Sequence, residues 1–210
     1  MKHELQSIIS GKSEVRNGAV IQAATSYLKG SERAGKMVKD SKQLKKQETE
    51  VLAEYINTNN LWILDIGIEN YVSEGAEQKV YLKDGKTVIK LNDGIFYSSW
   101  EDYFNNLLLH NFFFPDTAYE LLGFYKENDA IYAVVEQPFV KATEKTDLEG
   151  VKQFMLSNGF INNRNNDYYN PDLGIILEDL HDENVLTENG VLQFIDTVFF
   201  INEEFYKVYV

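Results

Sequence analysis

Cysteine is absent from all 210 residues, which excludes disulfide frameworks, thiolate nucleophiles, sulfur-bound zinc and iron–sulfur clusters. Histidine occurs only three times, at His3, His110 and His181, with no metal-like spacing. No window approaches 18 uncharged apolar residues, and residues 1–10 lack the apolar stretch of an export signal. A cytoplasmic protein without membrane attachment is the expectation. Positive charge is also scarce: 20 Lys and Arg stand against 33 Asp and Glu, a formal net charge of −13. Bulk attraction to nucleic acid or to an anionic membrane is disfavoured, because both are themselves negative. What is abundant is apolar and aromatic material, 44% hydrophobic with 13 Tyr and 13 Phe, enough for one ordinary globular domain and a modest appendage.

The charge is unevenly placed. Residues 1–50 hold 10 of the basic and 6 of the acidic side chains, leaving 10 and 27 for the remainder. That asymmetry divides the chain into a basic N-terminal extension, 1–60, and an acidic body, 61–210. The extension reads as two helices, 15–28 and 42–58, with a polar joint carrying Arg33, Lys36 and Lys39. Its lysines read as a solvated helix face; the sharper alternative is a docking patch for a protein partner, a phosphate-bearing partner or the acidic body itself.

From about Leu61 the apolar period changes to two. Residues 78–83 and 86–91 flank Asp84-Gly85, a pair suited to a two-residue hairpin. Trp100, Tyr103, Phe104, Leu107 and Leu108 share one face of a helix over 98–111, which ends near Pro115. Strand-like runs 119–125 and 130–135 follow, then a helix over 147–157, an Asn-rich loop over 161–170, and short strands around Asn189-Gly190. The fold class is α+β, without an internal repeat.

Chemistry concentrates in Asp179-Leu180-His181-Asp182-Glu183-Asn184-Val185-Leu186 and in Asp196, which closes an apolar run after a turn at Asn189-Gly190. Phosphoryl transfer needs a carboxylate beside the acceptor hydroxyl and hard oxygen ligands for magnesium. Asp179 suits the first role, Asn184 and Asp196 the second. In this pattern the chain resembles the protein-kinase-like superfamily, with His181 similar to the aminoglycoside and choline kinase branch. The runs Leu107-Leu108-Leu109-His110-Asn111, Tyr119-Glu120-Leu121-Leu122-Gly123-Phe124 and 177–186 look closest to the kinase domain of polyvalent proteins of phages and bacterial mobile elements. The resemblance covers residues 61–205.

It implies a small lobe of antiparallel sheet with one helix and a truncated large lobe, since 14 residues follow Asp196. ATP and Mg²⁺ are the implied cofactors, and the acceptor hydroxyl, on a protein or a small molecule, stays open. Asp179 would be the base, Asn184 and Asp196 the metal ligands, and Lys90 the phosphate-neutralising cation. Gly75 and Val80 would cover the nucleotide, while Glu136, Gln137 and Phe139 would border the adenine. Glu101 and Asp102 are candidate helix carboxylates for Lys90. The sequence departs from the pattern where only Gly75 remains of three glycines, where Leu177 replaces a His, and where Thr197-Val198 replaces Phe-Gly. Those departures keep a second reading open, a pseudokinase serving as an interaction or regulatory domain. A third places the function in the basic helices. His110 reads as a hydrogen-bonded structural histidine.

Overall fold

A computed structural model of the chain describes residues 1–32, 41–67, 70–74 and 78–207. Arg33, Lys36, Lys39 and Gly75 therefore lie outside the described residues.

Three helices come first: α1 (Lys2–Ile9), α2 (Ala19–Glu32) and α3 (Ser41–Asn59). Helix α1 is an addition to the expected pair, and α2 begins later than the expected 15–28 and runs on through Gly30. Their apolar residues join the main core: Leu5, Ile21, Ala24, Leu52 and Ile56 are fully buried in one cluster with Phe104, Leu108 and Phe124. The basic extension is thus packed into the body, and among the described residues Lys29 and Lys45 have partners there. Lys45 Nζ reaches the carbonyls of Gly94 and Tyr97, and Lys29 pairs with Glu101 at 3.1 Å.

Strands β1 (Tyr71–Glu74), β2 (Gln78–Leu82), β3 (Thr87–Asn92), β4 (Glu120–Glu127) and β5 (Ala130–Pro138) form an antiparallel sheet in the order β1-β2-β3-β5-β4. The β2–β3 turn is wider than a two-residue hairpin. Asp84 Oδ1 accepts from the amides of Lys86 and Thr87 at 2.7 and 2.9 Å, so an Asp side chain closes the turn where a left-handed glycine was expected.

Between β3 and β4 lies α4 (Trp100–Phe113). Ser99 caps it by accepting from the Asp102 amide at 2.9 Å, with Glu101 and Asp102 in the first turn favoured by the helix dipole. From α3, the buried Glu48 carboxylate also accepts from the Trp100 amide at 2.5 Å. Residues 103–111 of α4 are all buried, polar ones included, because α1, α2 and α3 pack against the helix together with a second sheet. That sheet, in the order β11-β8-β7-β6, comprises β6 (Ile161–Arg164), β7 (Asp167–Asn170), β8 (Ile175–Glu178) and β11 (Val198–Ile201). A hairpin of β9 (Val185–Glu188) and β10 (Val191–Phe194) precedes β11, and α5 (Leu148–Ser157) precedes β6.

The Asn-rich segment is therefore a hairpin, β6–β7, rather than a loop. Asn165 turns it at φ 46°, and Tyr168 and Asn170 alternate inward on β7. Helix α6 (Glu203–Tyr206) ends the described chain and receives Gln6 Nε2 from α1 on the Phe205 carbonyl at 2.5 Å. Among the described residues no helix is long and apolar enough to cross a membrane.

Gly174 is where backbone conformation and close approach coincide. Its φ is +70°, and a Cβ there would stand 2.2 Å from the Phe205 nitrogen. Gly174→Ala is expected to lower stability by roughly 2–4 kcal/mol, read from the urea midpoint, because the left-handed conformation and the clash act together. An unchanged midpoint would contradict this packing of α6.

Candidate active site

Lys90 sits on β3 opposite Val80 of β2 and is 4% exposed. Burial pushes its ammonium below the ordinary lysine range, partly countered by the nearby Asp196 carboxylate. Its Nζ donates to the Ile195 carbonyl at 2.8 Å. Among the described residues it forms no ion pair. Glu101 is held by Lys29, and no contact joins Asp102 to Lys90; burial raises the Asp102 carboxyl above its usual range.

The other groups are tied to this lysine by a continuous run of hydrogen bonds. Ile195 and Asp196 leave the end of β10, and their amides donate to the Asn184 carbonyl at 2.9 and 3.3 Å. Asn184 Nδ2 donates to the Asp179 carbonyl at 2.8 Å and to its carboxylate at 3.0 Å. From β2, Gln78 Nε2 donates to the Asp196 carboxylate. Residues as far apart as 78 and 196 in sequence thus share one site.

Asp179 occupies the left-handed region at φ 67°, where Asp is among the few side chains tolerated. Its backbone is held by the β6–β7 hairpin, since its amide donates to Asp167 Oδ1 at 3.1 Å. The His181 ring completes the loop. Its Nδ1 accepts from the Glu183 amide at 3.2 Å, and its Nε2 lies 3.3 Å from Asp179 Oδ1 and 3.2 Å from Asn184 Nδ2. The carboxylate, 56% exposed, is therefore steadied on both oxygens while still open to a reactant.

A cavity of about 10 Å³, room for about one water, opens against Tyr119 and Asp196. Gln78, Tyr103, Asn106, Tyr119 and Asp196 line it. On the expected adenine side, β5 continues through Pro138, and the Phe139 amide donates to the Lys86 carbonyl at 2.7 Å. Gln137 is buried with its Nε2 on the Thr117 carbonyl at 2.8 Å, and Glu136 pairs with Lys83. Gln137 and the Phe139 amide are thus engaged within the fold and Glu136 at its surface, and the connector free of the sheet begins only after Phe139. Gly75 lies outside the described residues.

For a metal, no cluster of three His, Asp or Glu side chains occurs among the described residues. The donor chemistry nevertheless fits magnesium. The Asn184 side-chain oxygen and the second Asp196 carboxylate oxygen accept no hydrogen bond among the described residues. Both are hard oxygen ligands, and a magnesium ion needs only one or two of these besides phosphate and water.

Sequence reading alone misses Tyr119, whose hydroxyl donates to the same Ile195 carbonyl as Lys90, at 2.8 Å. It is one of 13 tyrosines, and nothing in its spacing distinguishes it. His110 is buried as expected of a structural histidine. Its Nδ1 lies 2.7 Å from Thr197 Oγ1, beside Asp196, and its Nε2 lies 3.0 Å from the Thr117 carbonyl.

A family described as the serine/threonine/tyrosine kinase found in polyvalent proteins matches residues 45–203, well over half of the chain and all four of Lys90, Asp179, Asn184 and Asp196. No match is found to a curated protein or to a solved structure.

Proposed function

The chain belongs to the family of serine/threonine/tyrosine kinases found in polyvalent proteins, and from that premise we propose that it is an ATP-dependent phosphotransferase acting on a hydroxyl acceptor. The observation that carries this reading is the run of hydrogen bonds from Lys90 through Ile195, Asp196 and Asn184 to Asp179. It supports the reading by linking a buried cation, two hard oxygen donors and an accessible carboxylate.

In this reading the Lys90 ammonium, with two of its three N–H groups beyond the one on Ile195, faces the donor phosphates. Its burial strengthens that attraction, since little water competes. Asn184 and Asp196 would hold Mg²⁺, which offsets charge on the transferred phosphoryl group. Asp179 accepts the proton from the attacking hydroxyl and keeps it in line with the phosphate. Gln78 must release Asp196 Oδ2 if both carboxylate oxygens are to be used. Val80 and the residues after Phe139 would border the nucleotide.

The pseudokinase alternative is favoured by one observation, the absence of an ion pair on Lys90 among the described residues. Formation of ADP from Mg·ATP separates the two readings. Magnesium-dependent turnover by the parent protein supports the transferase; nucleotide binding with no ADP formed supports the pseudokinase.

Lys90→Met provides a second test. It is expected to abolish turnover and to weaken Mg·ATP binding roughly tenfold or more, while thermal stability stays level or rises by about 1–2 kcal/mol. A buried ammonium without a paired carboxylate is replaced by an apolar chain of similar length, and Asp196 keeps its bond to Gln78. A fall in stability with nucleotide binding intact would assign Lys90 a structural role.

A further inference from the structure

Among the described residues Lys90 lacks the helix carboxylate that would ordinarily steady such a lysine, and the structure places something else around it. The Ile195 carbonyl accepts from Lys90 Nζ and from Tyr119 Oη, both at 2.8 Å. The ammonium also lies 5.4 Å from the centre of the Tyr119 ring, within reach of its negative face. Tyr119 is 3% exposed, so neither interaction is diluted by water.

The tyrosine is itself held at both ends of its peptide unit. Asn111, in the last turn of α4, accepts from the Tyr119 amide at 2.7 Å and donates to its carbonyl at 2.8 Å. His110 packs its ring 4.5 Å from the Tyr119 ring and holds Thr117 two residues earlier. The adjacent pair His110-Asn111 therefore connects α4 to Lys90 through Tyr119. Through Thr197 the same pair reaches the residue beside Asp196.

We infer that Tyr119 is the positioning residue for Lys90, serving in place of a helix carboxylate, and that Asn111 sets Tyr119 in position. The ring face and the Ile195 carbonyl, itself fixed by the Tyr119 hydroxyl, hold the ammonium without neutralising it. More of the positive charge is then available to the donor phosphates than an ion pair would leave. This inference rests on the nucleotide-binding reading of the same site.

The test is a double-mutant cycle on Mg·ATP affinity, measured by calorimetry on the full chain. Tyr119→Phe removes only the hydroxyl and is expected to weaken binding about threefold to fivefold; Tyr119→Leu removes the ring as well and is expected to weaken it about tenfold or more. In a Lys90→Met background both substitutions should have no further effect, which a merely structural tyrosine would not produce. Circular dichroism of Tyr119→Phe should match the parent. Full affinity in Tyr119→Phe and Tyr119→Leu, or equal losses with and without Lys90, would overturn the inference while leaving the nucleotide reading intact. A parent protein that binds no Mg·ATP would overturn both.

Discussion

Asp179→Asn is expected to lower the rate of ADP formation roughly 10³-fold while leaving Mg·ATP affinity within about twofold of the parent. The substitution is nearly isosteric and removes the proton-accepting charge. It also respects the local backbone, since Asn tolerates the left-handed region as well as Asp does, and Asp179 has φ 67°. An amide oxygen at the same place can still accept from Asn184 Nδ2, now 3.0 Å from the carboxylate. A folded variant with intact nucleotide binding is therefore expected, and the whole loss should fall on turnover. Equal rates for parent and variant would remove Asp179 from the chemistry.

Acidification is expected to destabilise the protein through His110. The ring is completely buried and burial drives its pKa down to about 3, with the positive charge of Lys90 acting in the same direction. In the unfolded chain the same histidine titrates near 6.5. Between these values the unfolded state binds a proton that the folded state refuses, so stability falls as pH falls from 6.5 towards about 3. The slope is about 1.4 kcal/mol per pH unit, on the order of 4 kcal/mol across the whole interval. The neutral tautomer follows from its partners: Nε2 donates to the Thr117 carbonyl at 3.0 Å, leaving Nδ1 to accept from the Thr197 hydroxyl at 2.7 Å. His110→Gln is expected to cost about 1–3 kcal/mol at pH 7 and to flatten the slope between pH 5 and 6.5, above the usual carboxylate range. Urea midpoints across that interval would measure it. Parallel curves for parent and variant would contradict a neutral buried imidazole.

Much of the fold was legible because period and punctuation agreed. The alternation over 78–91 and 119–135 became β2 through β5, and the face made by Trp100, Phe104, Leu107 and Leu108 became α4. Asp179, Asn184 and Asp196 could be read because their spacing reflects a loop followed by a hairpin, both local objects. Helix α1 escaped notice because its eight residues bury only Leu5, Ile8 and Ile9, too few to establish a period. The β6–β7 hairpin was hidden by composition, since its turn, half of β6 and the last residue of β7 are asparagine. The inward alternation of Tyr168 and Asn170 about Asn165 was the signal available.

What could not be read was set by contacts distant in sequence. Lys29 meets Glu101, and Tyr119 meets Ile195; neither partnership leaves a trace in local spacing. The charge asymmetry marks a boundary in composition but carries no information on packing, for the same reason. The basic helices have an apolar face, and Leu52 and Ile56 are buried in one cluster with Phe104 and Leu108 of α4.

Calorimetric titration of the full chain with ATP, in the presence and absence of Mg²⁺, tests the nucleotide site most directly. Saturable binding of one nucleotide per chain is predicted, dependent on magnesium, weakened roughly tenfold or more in Lys90→Met and losing its magnesium dependence in Asp196→Asn. Absence of binding by the parent, or binding unaffected by either substitution, would contradict it.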